Sequence, residues 1–101
     1  MQIELQFHPE AREEYLEAIA WYLTHSDTIA RAFQQEVDEA LERIRSGPSH
    51  WPVFEGQVRW IRLHRFPYLL YFEDSFTGHV DVLAVAHARR RPGYWRTRRQ
   101  G

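Results

Sequence analysis

Cysteine and lysine are both missing from this chain of 101 residues. Without cysteine there is no disulfide, no thiol nucleophile and no cysteine-ligated zinc or iron–sulfur site, which excludes a disulfide-stapled secreted scaffold. Without lysine, all 13 basic residues are arginine. Arginine stays protonated in proteins, so it can clamp phosphate or stabilise developing charge but cannot serve as a general base near neutral pH. Any proton acceptor must be His, Glu, Asp or Tyr. Long apolar runs are missing too. The longest stretch free of charged or strongly polar side chains, Phe66 to Phe72, falls far short of the roughly 20 residues a membrane helix needs. The opening Met-Gln-Ile-Glu-Leu-Gln-Phe carries Glu4 early, has no apolar stretch of signal-peptide length and reads as a first strand. A soluble, cytoplasmic protein is expected.

What is present suits one small globular domain spanning residues 1–101, with 44% hydrophobic and 15% aromatic residues. At this length folding buries roughly 60 to 70% of the chain's surface, enough for a single core. The net charge is −1, but its distribution is uneven. Residues 1–50 hold Arg12, Arg31, Arg43 and Arg45 against ten acids, a balance of −6; residues 51–101 hold nine Arg against Glu55, Glu73, Asp74 and Asp81, a balance of +5. Such a split suggests a phosphate-bearing or acidic partner met by the second half alone, or two halves that attract each other.

Ile3, Leu5 and Phe7 alternate with polar residues, which predicts a strand over 2–7. Pro9 suits a first helical turn and Glu10, Glu13 and Glu14 suit its dipole, so a helix is expected over 9–24, with Ala11, Tyr15, Ile19, Tyr22 and Leu23 on one stripe and Leu16 beside it. Ser26 and Asp27 are N-cap residues for a second helix over 28–46, where Ile29, Phe33, Val37, Ala40, Leu41 and Ile44 repeat until Gly47-Pro48. The short link makes the two helices an antiparallel hairpin. Period-2 patterning then predicts strands over 58–65, 68–72 and 79–87, broken by Pro67 and by a turn at Ser75–Gly78. The fold class is α+β, in the order β-α-α-β-β-β, with the helical hairpin on one face of a small, mainly antiparallel sheet. The Arg-rich tail after Tyr94 is expected to be adaptable.

The six histidines show no HxxxH or HxH spacing and have no cysteine to complete a site, so no metal or other cofactor is expected. There is also no Gly-rich phosphate loop.

The element order, the opening Phe7-His8-Pro9-Glu10-Ala11, the segment Val58-Arg59-Trp60-Ile61-Arg62-Leu63-His64-Arg65-Phe66-Pro67-Tyr68 and the ending Val85-Ala86-His87-Ala88-Arg89-Arg90-Arg91-Pro92-Gly93-Tyr94-Trp95 together resemble the RelE/ParE toxin family, across nearly the whole chain. These are toxins of bacterial type II toxin–antitoxin modules, often called plasmid stabilisation proteins. The resemblance implies a cognate antitoxin as partner and one of two activities: RelE-like ribosome-dependent cleavage of messenger RNA, or ParE-like poisoning of DNA gyrase without nuclease activity.

Metal-free RNA cleavage needs a base, cations around the phosphate and an acid for the leaving oxygen. The resemblance places Arg62 and Tyr94 at two positions of the ribonuclease set, and His87 is the remaining acid–base candidate, because its ordinary pKa lies near neutral and Arg62 is expected within its reach. Glu55 completes a reduced set. Leu69, Trp60 and Ala88 stand where further basic residues belong, so the cationic set is depleted and a ParE-like inhibitor is the first expectation. For target or nucleic-acid contact the candidates are Arg59, Arg65, Arg89, Arg90, Arg91 and Arg96, with Trp95 for stacking; the alternative is a solvated tail with Trp95 anchored on the sheet or on the antitoxin.

Overall fold

The computed structural model describes residues 3–75 and 77–99. Strand β1 (Glu4–Phe7) leads into helix α1 (Pro9–Leu23), helix α2 (Asp27–Ser46) and a 3-10 turn at Pro48–His50; strands β2 (Val53–Glu55), β3 (Val58–Arg62), β4 (Tyr68–Asp74) and β5 (His79–His87) follow, then a second 3-10 turn at Arg96–Arg98. The helix starts have local causes. Pro9 opens α1 while the His8 ring accepts from Glu10 N–H at 3.1 Å, and the Ser26 hydroxyl accepts from Ile29 N–H at 3.3 Å to cap α2.

The five strands form one sheet in the order β1-β5-β4-β3-β2. The last four form an antiparallel meander, and β1 joins its end parallel to β5, with Phe7 opposite Val82. The helical hairpin covers one face. Phe33, Val37 and Ile44 from α2 and Ala11 and Ala18 from α1 meet Ile61, Leu70, Phe72, Val82 and Val85 there. Leu16 and Leu23, expected on or beside the α1 stripe, are instead half exposed on the outer side of the hairpin.

Three expectations change. The strand expected over 58–65 ends at Arg62, because the buried carboxylate of Glu36 on α2 accepts the backbone N–H groups of His64 and Arg65 and takes them off the ladder. A short strand, β2, precedes it; three residues after Pro52 are too few to display alternation, and Gly56, at φ +54°, makes the tight return to β3. The tail is not adaptable but packed. Trp95, completely buried, sits with Tyr71, Leu83, Ala84 and Ala86 on the face of the sheet opposite the helices, flanked by Phe54 and Tyr94. Its ring lies 5.0 Å from Tyr71 and 5.4 Å from Phe54.

A β-bulge explains how β5 serves both cores. Tyr71 pairs with Ala84 and Phe72 with Val82, so Leu83 is an extra residue. Leu83 and Ala84 therefore both face the tail, while Val82 and Val85 both face the helices. Gln2 and Phe76, within the expected first strand and the expected turn, lie outside the described residues.

Candidate functional site

Strand β1 pairs with β5 only as far as Val82, whereas β5 continues to His87. Beyond that point its outer edge is closed by side chains. Val85 N–H donates to Glu14 Oε1 at 3.0 Å, and Leu83 C=O accepts from Arg98 Nη1 at 2.9 Å. Arg98 binds both oxygens of Glu14 at 3.0 Å, and the Tyr94 hydroxyl donates to Glu14 Oε2 at 2.7 Å. A carboxylate from the second turn of α1 and a guanidinium from the tail thus stand in for the missing strand, and such cover protects a sheet edge from unwanted pairing. The pair is nearly sealed, with side-chain exposures of 15% for Glu14 and 8% for Arg98. Burial, helped by the Glu14 hydrogen bond, pushes the Tyr94 phenol well above its ordinary pKa, so it stays a neutral donor.

Two more arginines pin the tail. Arg96 grips Glu55 through Nε at 2.9 Å and Nη2 at 2.8 Å, and this hydrogen bond holds Glu55 below the usual carboxylate range. Arg99 binds Glu73 at 2.7 and 3.1 Å. Gly93, at φ +84°, allows the turn that brings Arg96 back, and a Cβ there would fall 2.3 Å from the Arg96 guanidinium.

The expected catalytic set does not converge. Arg62 pairs with Leu69 and Leu69 with Ala86, on the tail-facing side of the sheet, whereas His87 pairs with Tyr68, whose ring packs among the helices. Neighbouring strand positions point to opposite faces, so Arg62 and His87, expected within reach of each other, lie on opposite sides of the sheet. Glu55 is engaged by Arg96. His87 and Tyr94 do line one cleft, but the Tyr94 hydroxyl is spent on Glu14.

The expected binding set divides. Trp95 is core, Arg96 is paired and Arg59 donates to the backbone carbonyl of Trp51 at 2.6 Å, so these three hold the fold together. Arg65, Arg89, Arg90 and Arg91 remain exposed, and Arg62 with them. They share one end of the molecule: the turn after β5 is joined to the β3–β4 connection by Ala88 N–H donating to Pro67 C=O at 2.7 Å. Among the described residues Arg62, Arg89, Arg90 and Arg91 make no ion pair, and Arg65 makes only a long one, 3.6 Å to Glu36.

Beside this cationic end a cleft of about 500 Å³ opens between α1 and the end of β5, walled by Trp21, Tyr68, His87, Arg90 and Tyr94, with Glu17 at its rim. The Arg90 guanidinium lies over the Tyr94 ring at 3.9 Å. Sequence reasoning missed Glu14 and Trp21 as site residues. A signal was available: Glu14, Ala18 and Trp21 follow at intervals of four and three, one ridge of α1 beside its buried stripe. No group of three or more His, Asp or Glu among the described residues is arranged to hold a metal ion.

A family model described as the ParE toxin of the type II toxin–antitoxin system, parDE, matches residues 5–92. No curated protein matches the chain. Among solved structures, the chromosomal ParDE toxin–antitoxin system from P. aeruginosa superposes with a TM-score of 0.72 at 16% identity, covering 84% of this chain and 95% of that one. At that identity the likeness is one of fold.

Proposed function

Since the chain belongs to the ParE toxin family of type II toxin–antitoxin systems, we propose that it arrests growth by binding its target through the cationic end, not by cutting RNA. The target in this reading is DNA gyrase, reached in the cytoplasm, and a cognate antitoxin neutralises the toxin. No helix among the described residues is long and apolar enough to cross a membrane.

One observation carries the reading. The residues a metal-free nuclease would need are dispersed or engaged, while five arginines without a strong internal partner gather at one end. A clustered, unneutralised guanidinium surface suits a partner that presents phosphates or carboxylates, and it raises the rate of encounter with such a partner. A ribonuclease reading draws on the shared cleft of His87 and Tyr94.

The experiment is expression from a tight promoter without antitoxin, with messenger RNA ends mapped and the DNA-damage response scored in the same cells. Damage induction with intact messages supports the proposal, and the purified protein should then inhibit gyrase supercoiling, with that inhibition lost on neutralising Arg89, Arg90 and Arg91. Codon-phased cleavage, abolished by His87→Ala, would overturn it in favour of the ribonuclease.

A further inference from the structure

The cleft beside the cationic end is built to hold a side chain from another molecule. Its outer wall is Trp21, 59% exposed, which is unusual for the largest apolar side chain. Trp21 is not loose: its ring packs edge-on against Tyr22 at 5.2 Å and leans on His25 at 4.5 Å. Opposite it stand Tyr68 and His87, themselves edge-to-face at 5.2 Å. Rigid aromatic walls around an apolar hollow are the form that anchor pockets at protein interfaces take, because little entropy is lost when a partner's side chain enters.

The polar groups around the hollow narrow the choice of occupant. His87 Nδ1 accepts from Arg89 N–H at 3.1 Å, so in the neutral ring the proton sits on Nε2, the nitrogen left free to donate. Arg90 lines the cleft and Arg91 follows on the exposed turn, neither with an ion pair among the described residues. Cationic donors at the rim call for carboxylates or phosphates. Glu17 and Glu14 also line the cleft, however, and their negative charge opposes a nucleotide seated between them. A peptide resolves the conflict, since its apolar side chain fills the hollow while a neighbouring acid reaches the arginines on the far rim.

We propose that this cleft is the anchor site for the cognate antitoxin: a bulky apolar side chain enters between Trp21 and Tyr68, and flanking acidic residues of the same segment pair with Arg90 and Arg91. The inference rests on the toxin–antitoxin reading above and adds to it the place and chemistry of the contact. Because the antitoxin segment covers Arg90 and Arg91, it occupies part of the surface assigned to the target. Neutralisation is then direct competition, with no conformational change required.

The test compares the affinity of full-length variants for the co-expressed cognate antitoxin by titration calorimetry. Trp21→Ala should weaken binding about tenfold or more, Trp21→Phe less, and Arg90→Glu with Arg91→Glu about tenfold at low salt with a smaller loss at high salt. Leu16→Ala, on the outer side of the hairpin, should bind like the parent. Melting temperatures confirm that each variant is folded. In the same series, 5-fluorotryptophan labelling follows the Trp21 resonance as antitoxin, then an RNA oligonucleotide, is added. Binding within twofold of the parent for both Trp21→Ala and the arginine pair overturns the anchor site while leaving the toxin–antitoxin reading intact. A Trp21 resonance moved by RNA and not by antitoxin overturns it in favour of nucleic acid. If the unmodified chain binds no antitoxin at all, the toxin–antitoxin reading fails and the anchor site with it.

Discussion

Truncating Glu14 to alanine tests how the tail is held. Its carboxylate takes four donors at once: Val85 N–H, the Tyr94 hydroxyl and two nitrogens of Arg98. The substitution strands a guanidinium whose side chain is only 8% exposed; breaking a buried ion pair by removing one partner costs about 3–5 kcal/mol. The orphaned Val85 amide and Tyr94 hydroxyl contribute to that cost, since each buried group left without a partner costs about 1–3 kcal/mol. Domains of this size have about 5–15 kcal/mol in total, so the loss is a large share. Thermal unfolding followed by circular dichroism should show a drop of roughly 15–30 °C, at about 4–8 °C per kcal/mol for a domain near this length. The double variant Glu14→Ala, Arg98→Ala removes the stranded charge and should recover part of the loss, giving a coupling energy of about 1–3 kcal/mol in a double-mutant cycle. Limited trypsin digestion should cut sooner within residues 89–99 in Glu14→Ala than in the parent. A melting temperature within about 3 °C of the parent, with no coupling to Arg98, would refute the assignment of Glu14 as the clasp of the tail.

Further outcomes follow from the same geometry. The Tyr94 phenol is neutral in the fold and its pKa is raised, so its contribution to stability is complete below the unfolded value, about 10, and declines as pH rises above it; Tyr94→Phe should flatten this alkaline decline and remove the latest-titrating phenol from an ultraviolet titration. Gly93→Ala puts a side chain at φ +84° and into the Arg96 guanidinium, so urea unfolding should register a loss of about 1–3 kcal/mol with the tail loosened. Glu36→Ala leaves the His64 and Arg65 amides without their acceptor, and hydrogen exchange at these two positions should accelerate while β4 stays protected. Exchanging Arg89, Arg90 and Arg91 for alanine should abolish growth arrest while the melting temperature moves by less than about 2 °C, because exposed charges without partners contribute little to stability.

Much of the fold was legible in local pattern. The apolar spacing from Ala30 to Ile44 and the start signals at Pro9 and Ser26 placed both helices within a residue or two. The break at Pro67 and the run from His79 to His87 placed the two longest strands. Where the reading slipped, a distant group had intervened. His64 continues the alternation of β3, yet Glu36, 28 residues earlier, takes its amide. Leu83 disturbs the alternation of β5 because a bulge lets one strand feed two cores.

The candidate site was less legible. Arg89, Arg90, Arg91, Arg96, Arg98 and Arg99 look alike as a string, and the sequence offers nothing to rank them. The structure divides them: Arg96, Arg98 and Arg99 close on Glu55, Glu14 and Glu73, while Arg89, Arg90 and Arg91 are left for a partner. Trp95 changed from stacking platform to buried core, and Arg62 and His87 came to rest on opposite faces.

By itself, then, the sequence determined the helices, the main strands, their order and the family, because periodicity, capping and turn residues act over a few neighbours and leave a local trace. Only the tertiary structure decided which arginines bind the fold and which face outward. An ion pair such as Arg98 with Glu14 spans 84 positions and depends on where the tail meets the edge of β5, a meeting for which no periodic pattern exists.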